Sequence, residues 1–287
     1  MVERIAWRKA SEQKCLAESI ASQLAATRAE RQMDSRAGVV LDDVNSNFED
    51  KFREPAAERN LFPSELQFRT DEDALHVLWR QASASQLAAP TEPPAANAEA
   101  DLTVRIHESM ANNAAQTALA GLTLNEDEFR MAAKELLDRV PEPLKPIPGE
   151  EPWGVSFDRT QPIEVQFADD GFRLTLHGRR YFQSDKAHPG MDVSASYKIV
   201  RDDSGFRAVR QGDVEVVPPG LGKDERVGTR YQIIRTLLIR RFDRIFEKEV
   251  RFEDIELPGK WGANGPLSLV QLRASDGWLT IAWKARK

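Results

Sequence analysis

PIEVQFADDGFRLTLHGRRY, residues 162–181, alternates apolar and polar side chains on both sides of a turn. Ile163, Val165 and Phe167 take every second position before Asp169-Asp170-Gly171, and Phe172, Leu174 and Leu176 take every second position after it. A period of two places these side chains on one face of a pleated pair, and Asp and Gly tolerate the left-handed backbone of a tight hairpin. The same alternation reaches back to Val155 and Phe157 and forward through 193–200 and 206–217, with Asp202-Asp203-Ser204-Gly205 as another turn. Residues 153–217 therefore predict an antiparallel meander of about five strands with one face in water.

Beyond the meander, Gly220 and Gly222 loosen the chain before a helix expected over 224–249. Val227, Tyr231, Ile234, Leu238 and Phe242 recur at helical spacing, with Ile233, Leu237, Ile245 and Phe246 beside them. Arg226, Arg230, Arg235, Arg240, Arg241, Arg244 and Lys248 make up a basic remainder. Such a helix is expected to be clasped by the curved sheet, its arginines reaching water along their aliphatic stems. The alternative is an amphipathic helix lying on an anionic membrane or an acidic partner. Strands at 250–257 and 267–284 close the chain.

The closing hairpin, LVQLRASDGWLTIAWK at 269–284, has a second copy in ELQFRTDEDALHVLWR at 65–80, aligned without a gap. Gln67 and Arg69 fall on Gln271 and Arg273, and Leu75, Val77 and Trp79 fall on Leu279, Ile281 and Trp283. Each copy follows a helix with a Phe-x-x-x-Phe pair, Phe48 and Phe52 or Phe242 and Phe246. The repeat implies three parts: 1–87, helices plus a β-hairpin forming an incomplete first repeat; 88–100, a Pro/Ala linker; and 101–287, a complete α+β lobe. Trp79 and Trp283 then become equivalent core anchors. A hairpin with helices has little sheet to pack on. The chain is accordingly expected to be the trailing part of a longer duplicated protein, or to dock its first segment on the second lobe or on another chain.

In the first part, residues 3–36 are rich in Ala, Gln, Glu and Arg, and Leu16, Ile20 and Leu24 give one narrow apolar face. Gly38 is expected to break this helix, and a second one, with Val40, Val44, Phe48 and Phe52 on one face, to end at Pro55. The first hairpin turns at 70–73. AAPTEPPAANAEA, residues 88–100, has no apolar periodicity and predicts a solvated connection. Leu102, Val104 and Ile106 predict a strand, Ser109 an N-cap, and Met110, Ala114 and Ala118 a small-residue face. Asn125 with Glu128 forms a capping box for a helix burying Phe129, Ala132 or Ala133, Leu136 and Leu137 and stopping at Pro141. PEPLKPIP, 141–148, predicts an extended connection.

A net charge of -6 with pI near 5.5 argues against nucleic-acid binding through general positive charge. The single cysteine, Cys15, excludes an intramolecular disulfide and a cysteine-based zinc site, and its Ala-rich surroundings predict an inert small residue. No apolar run approaches the roughly 18 residues needed to span a bilayer. MVERIAWRKASEQ lacks the apolar centre of a secretory signal, so placement in a cell envelope would require sequence upstream of Met1.

The four histidines, His76, His107, His177 and His188, have no metal-ligand spacing. His76 is expected on the outer face of its strand. His107-Glu108 is the one adjacent acid and imidazole, at a strand-to-helix junction where a structural role is expected. Gly220-Leu221-Gly222-Lys223 fails as a phosphate loop, because Val217 and Asp224 stand where glycine and Ser or Thr are needed. Aspartates at 169, 170, 202 and 203 are turn residues. No catalytic residue, cofactor or metal ligand is therefore expected, and the chain is read as not being an enzyme.

DLTVRIHESMANN, PIEVQFADDGFRLTLHGRRY, RQGDVEVVPPG and LPGKW resemble an uncharacterised bacterial family of two-lobed α+β proteins. The order of helix, long meander and long helix is also similar in architecture to tubular lipid-binding (TULIP-like) modules, in which a sheet wraps a helix around an apolar groove. That resemblance implies a non-catalytic binding module holding an apolar or lipid-like ligand between the sheet and the long helix. The groove residues would be Val227, Tyr231, Ile234, Leu238 and Phe242. The alternative expectation is a structural or protein-interaction module of the bacterial cell envelope with a protein partner; no transmembrane segment is expected, and contact at a membrane surface stays open.

Overall fold

The computed structural model describes residues 2–58, 62–137, 140, 142–146, 149, 151–184, 186–203, 205–220, 228–257 and 265–286. The chain forms two compact units, Met1–Phe62 and Pro63–Lys287. The fold is α+β, with a long N-terminal helix and antiparallel sheets.

In the first unit α1 (Val2–Phe48) runs straight through Gly38, correcting the expected break. A lone glycine costs about 1 kcal/mol in a helix, too little to interrupt one of 47 residues. A π-helical turn (Glu49–Arg53) leads into α2 (Glu54–Glu58). Pro55 therefore does not end the helix. It sits in the first turn of α2, where a missing N–H is tolerated. The Phe48 and Phe52 rings lie 5.1 Å apart, and Phe52 meets Phe62 at 6.4 Å.

The second unit opens with the hairpin β1 (Glu65–Thr70) and β2 (Leu75–Arg80). Asp71 organises its turn by accepting the N–H groups of Asp73 and Ala74 at 3.0 and 2.8 Å, while its other oxygen meets His76 at 2.7 Å. His76 is exposed, but so are Leu75 and Val77 on the opposite face, so the expected division into an inner and an outer face does not appear in this hairpin. The hairpin groups with the following lobe, so the compact boundary falls before it and not after it.

β3 (Leu102–His107) and α3 (Glu108–Leu119) follow. The chain between β2 and β3 is strapped to the lobe. Asn113 donates to the carbonyls of Gln81 and Leu87 at 2.7 and 3.0 Å, and Gln86 donates to the carbonyl of Asn113 and to Gln116 Oε1 at 3.1 and 2.7 Å. Further along, Arg105 donates to the Pro94 carbonyl at 2.9 Å, and Asp101 accepts the Ala285 N–H at 2.7 Å. Outside regular structure these carbonyls have no ladder partner, and side chains of α3 and β3 collect them.

β4 (Thr123–Asn125), α4 (Glu126–Leu137), β5 (Trp153–Phe157), β6 (Ile163–Ala168), β7 (Gly171–Gln183), β8 (Lys186–Asp202), β9 (Gly205–Arg210) and β10 (Glu215–Val217) come next. Then come α5 (Thr229–Ile245), β11 (Glu249–Phe252), β12 (Leu267–Ser275) and β13 (Trp278–Ala285). Eight strands form one antiparallel sheet in the order β11-β9-β8-β7-β5-β4, with β6 also on β7 and β10 also on β8. A second sheet has the order β12-β13-β3. The capping box of α4 closes as expected, with Asn125 N–H donating to Glu128 at 2.8 Å and Glu128 N–H to Asn125 at 2.9 Å. Phe129 packs on the core; the side chains of Ala133, Leu136 and Leu137, and Pro141, lie outside what is described.

The core lies between the inner face of the large sheet and α5. Val155, Phe157, Met191, Val193, Ala208 and Val216 of the sheet meet Ile234, Leu238, Phe242 and Phe246 of the helix. The helix stops at Ile245, short of the expected 249, because residues 249–252 pair with β9. Arg210 of β9, itself buried, donates to the carbonyls of Asp243 and Phe246 and pairs with the Asp243 carboxylate, satisfying the helix end.

Candidate functional site

The groove expected along α5 is occupied by protein. Ile234, Leu238 and Phe242 are each 1% exposed within the core cluster, and Tyr231 is packed against it. Val227 lies outside the described residues, as do Leu221, Gly222 and Lys223. The cavity beside the C-terminal half of α5, lined by Glu126, Phe129, Leu144, Trp153, Arg241 and Ile245, holds about 10 Å³, near the threshold for one water. Arg241 departs from the expected outward row: it turns inward to Glu126 at 3.0 Å and lies 5.4 Å over the Trp153 ring. No described helix is long and apolar enough to cross a membrane.

A cleft of about 510 Å³ opens between two turns, 168–171 and 275–278, with Glu108 beside them. Both are built on left-handed residues: Asp169 (φ 51) and Asp170 (φ 52) in one, Asp276 (φ 52) and Gly277 (φ 79) in the other. The turns interlock through Asp170 N–H to the Ala274 carbonyl and Gly277 N–H to the Phe167 carbonyl, each at 2.9 Å. Arg273 stands 3.6 Å from Asp170. The cleft is acidic, but among the described residues no group of three His, Cys, Asp or Glu is placed to hold a metal ion.

Glu108 lines the cleft and His107 precedes it in the chain, and the two form no dyad. The buried His107 ring accepts the Ser109 N–H at 3.1 Å, so the imidazole caps α3 in place of the expected Ser109. Glu108 accepts the Phe167 N–H at 2.8 Å and so holds β6. Desolvation pushes the His107 pKa below its ordinary value against the opposing field of Glu108.

One constellation was not visible from residue spacing. On the face of β7 turned away from α5, His177 Nδ1 bonds Asp192 at 2.9 Å across the β7–β8 ladder, and Nε2 stands 3.7 Å from Glu164 of β6. Along the same face Arg173 reaches Ser194, Ser196 and Glu215. The pair follows from register: His177 sits opposite Asp192, a match fixed by the turn after Gln183. Fifteen residues of separation hid it, and counting back from that turn is the signal that finds it. The His177 Nε2 atom is closed off from solvent and makes no hydrogen bond. The imidazole is thus held by carboxylates instead of being presented to a substrate.

The hydrogen bond to Asp192 raises the His177 pKa, burial opposing it and the Asp192 and Glu164 charges adding to it. A folded-state value above the unfolded one stabilises the fold fully below the ordinary histidine pKa of about 6.5, and that contribution is lost as pH rises through the folded value. His107 has the opposite sign: its contribution is present above the ordinary value and lost as pH falls. Urea unfolding at pH 6 and pH 8 is expected to show His177→Gln losing less stability over that rise than the parent. An equal loss in both would show that His177 carries none of the dependence.

The hairpin β1–β2 is the remaining feature. Leu66, Phe68, Leu75, Val77 and Trp79 share one face, with Phe68 opposite Val77 and Leu66 opposite Trp79. Phe68 is 60% exposed, Leu75 62% and Val77 53%, while Leu66 and Trp79 are half-buried. The counterparts in β12–β13 pair in the same register, Leu272 opposite Ile281 and Ala274 opposite Leu279, and Leu272 and Ala274 are buried. Among known proteins, no family model matches the chain and no curated protein matches it significantly.

Proposed function

We propose that the chain is a non-catalytic binding module that engages a protein partner through the apolar face of the β1–β2 hairpin, as an interaction module of an assembly such as a cell envelope. One observation carries this reading: Phe68, Leu75 and Val77 form a contiguous apolar face in water on a hairpin anchored at its base by Asn113. Soluble chains seldom leave such a face uncovered unless it binds something. The reading with an apolar ligand beside α5 would need room where Ile234, Leu238 and Phe242 now meet sheet side chains, so the hairpin is favoured.

The test places a photo-crosslinking amino acid at position 68 of the full chain in its native host. Irradiation is expected to yield a discrete adduct of higher mass that disappears when Leu75→Ser and Val77→Ser are added, with the urea midpoint unchanged. Absence of an adduct, or one insensitive to the serine substitutions, overturns the proposal.

A further inference from the structure

The hairpin has an edge as well as a face, and the edge indicates what kind of partner fits it. Asp71 N–H donates to the Ala74 carbonyl at 3.0 Å, which makes that pair a hydrogen-bonded one. Hydrogen-bonded and non-hydrogen-bonded pairs alternate along an antiparallel ladder. The backbone groups of Leu75 and Val77 therefore point away from β1, toward the outer edge of β2. Among the described residues no strand pairs with that edge.

In the second hairpin the corresponding edge is occupied. β3 pairs with β13, setting Ile106 opposite Leu279 and Val104 opposite Ile281. Glu108 N–H donates to the Gly277 carbonyl at 2.9 Å, so the same alternation turns the amides of Leu279 and Ile281 toward β3. Leu279 and Ile281 are the counterparts of Leu75 and Val77, and the hairpins share one internal register from the turn as far as the bulge between Leu269 and Gln271. Every apolar residue of β3 that faces β13 side by side thus has a matching position beside β2.

Charge adds a further constraint. Between Val104 and Ile106, Arg105 stands opposite Thr280, whose counterpart is His76. Beside His76 the hairpin tip carries Asp71, Glu72 and Asp73. A strand on β2 would bring its own intervening residue to this acidic tip, where a Lys or Arg is matched and an acidic residue is repelled.

We infer that the outer edge of β2 takes up an extended segment of a partner protein as an added antiparallel strand, with apolar residues at alternate positions and a basic residue between the last two. Strand addition draws affinity from backbone hydrogen bonds and selectivity from alternate side chains. The inference rests on the proposed docking role of the hairpin and names the partner segment it would use.

The chain's own β3 supplies a probe. A fluorescent peptide with the sequence of residues 101–108, DLTVRIHE, is titrated with the full chain and followed by anisotropy. Saturable binding is expected. N-methylation at the valine or isoleucine amide, which would face β2, should weaken it by about tenfold or more, a shift of about 1.4 kcal/mol. N-methylation at the arginine amide, which points away, should change it by less than about threefold. Replacing that arginine by glutamate should weaken binding and reverse its dependence on salt, because screening then relieves a repulsion.

In the protein, Val77→Pro removes an outward N–H at an edge that tolerates proline and leaves the pairs with β1 in place. It should weaken binding by about tenfold or more. Lack of saturable binding up to about 1 mM, or binding indifferent to valine N-methylation and to Val77→Pro, overturns the inference. So does a dimer of the full chain that Val77→Pro dissociates, since a second copy would then be the occupant. If the peptide fails while the position-68 adduct persists, the docking role stands on the face of the hairpin and only the strand-addition inference falls.

Discussion

Phe242→Ala is expected to cost about 3–5 kcal/mol of unfolding free energy, the range for removing a large aromatic side chain from a closed core. The ring is 1% exposed, meets the Trp153 ring edge-on at 5.8 Å and the Phe246 ring at 5.5 Å, and belongs to the cluster joining α5 to the large sheet. Truncation leaves a void that neighbours on a hydrogen-bonded sheet cannot collapse to fill. Urea unfolding of the full chain, parent against variant, measures the loss. The experiment also separates two uses of the same residue. A side chain lining a ligand groove would cost little in the empty protein, so a loss below about 1 kcal/mol would restore the groove reading of α5.

Arg241→Met is expected to cost about 3–5 kcal/mol, because it strands a carboxylate that is itself mostly buried. Arg241 and Glu126 side chains are 8% and 15% exposed, with Nη1 and Oε1 3.0 Å apart. The guanidinium also reaches the Glu151 carbonyl at 3.4 Å and stacks on Trp153. Methionine can replace the packing of the stem but not the charge. Adding Glu126→Gln to Arg241→Met should recover more than about 1 kcal/mol, since removing both charges leaves none unpaired. Strictly additive losses in that cycle would show that the two side chains do not act as a pair.

These outcomes would assign α5 to holding the lobe closed, with its apolar side chains and the inward Arg241 engaged. The proposed binding would then fall to surfaces outside the core: the acidic cleft between the two left-handed turns and the β1–β2 hairpin. The cleft is braced by its own backbone hydrogen bonds. The hairpin offers uncovered apolar area and a strand edge together, which is why the proposed function is placed there.

Much of the scaffold was legible locally. Asp169-Asp170-Gly171 marked a hairpin because a two-residue turn needs positive φ, and both aspartates adopt it. The Asn125 and Glu128 box worked because its atoms lie within one helical turn. The registers of 67–78 and 271–282 match, as a period-two pattern requires when a one-residue slip would invert both faces; beyond them a bulge between Leu269 and Gln271 shifts the second hairpin. Gly38 misled because its cost of about 1 kcal/mol falls on one residue of a 47-residue helix. The site was less legible: His177 and Asp192 are joined only by strand register, and the strap at 81–101 carries no periodicity at all.

By itself, then, the sequence determined the strand period, the turns, the capping box and the two hairpins, since each depends on atoms within a few residues of one another or on a repeated pattern. Only the tertiary structure decided where α5 ends, which way Arg241 turns, that a proline-rich linker is a strap, and that one hairpin is covered while its counterpart is exposed. Those outcomes depend on which distant groups remain to be paired or buried once the elements assemble. For the hairpin that difference is physical and specific: β3 occupies the edge of β13, β12 packs against β6 to β9, and no strand among the described residues pairs with the outer edge of β2.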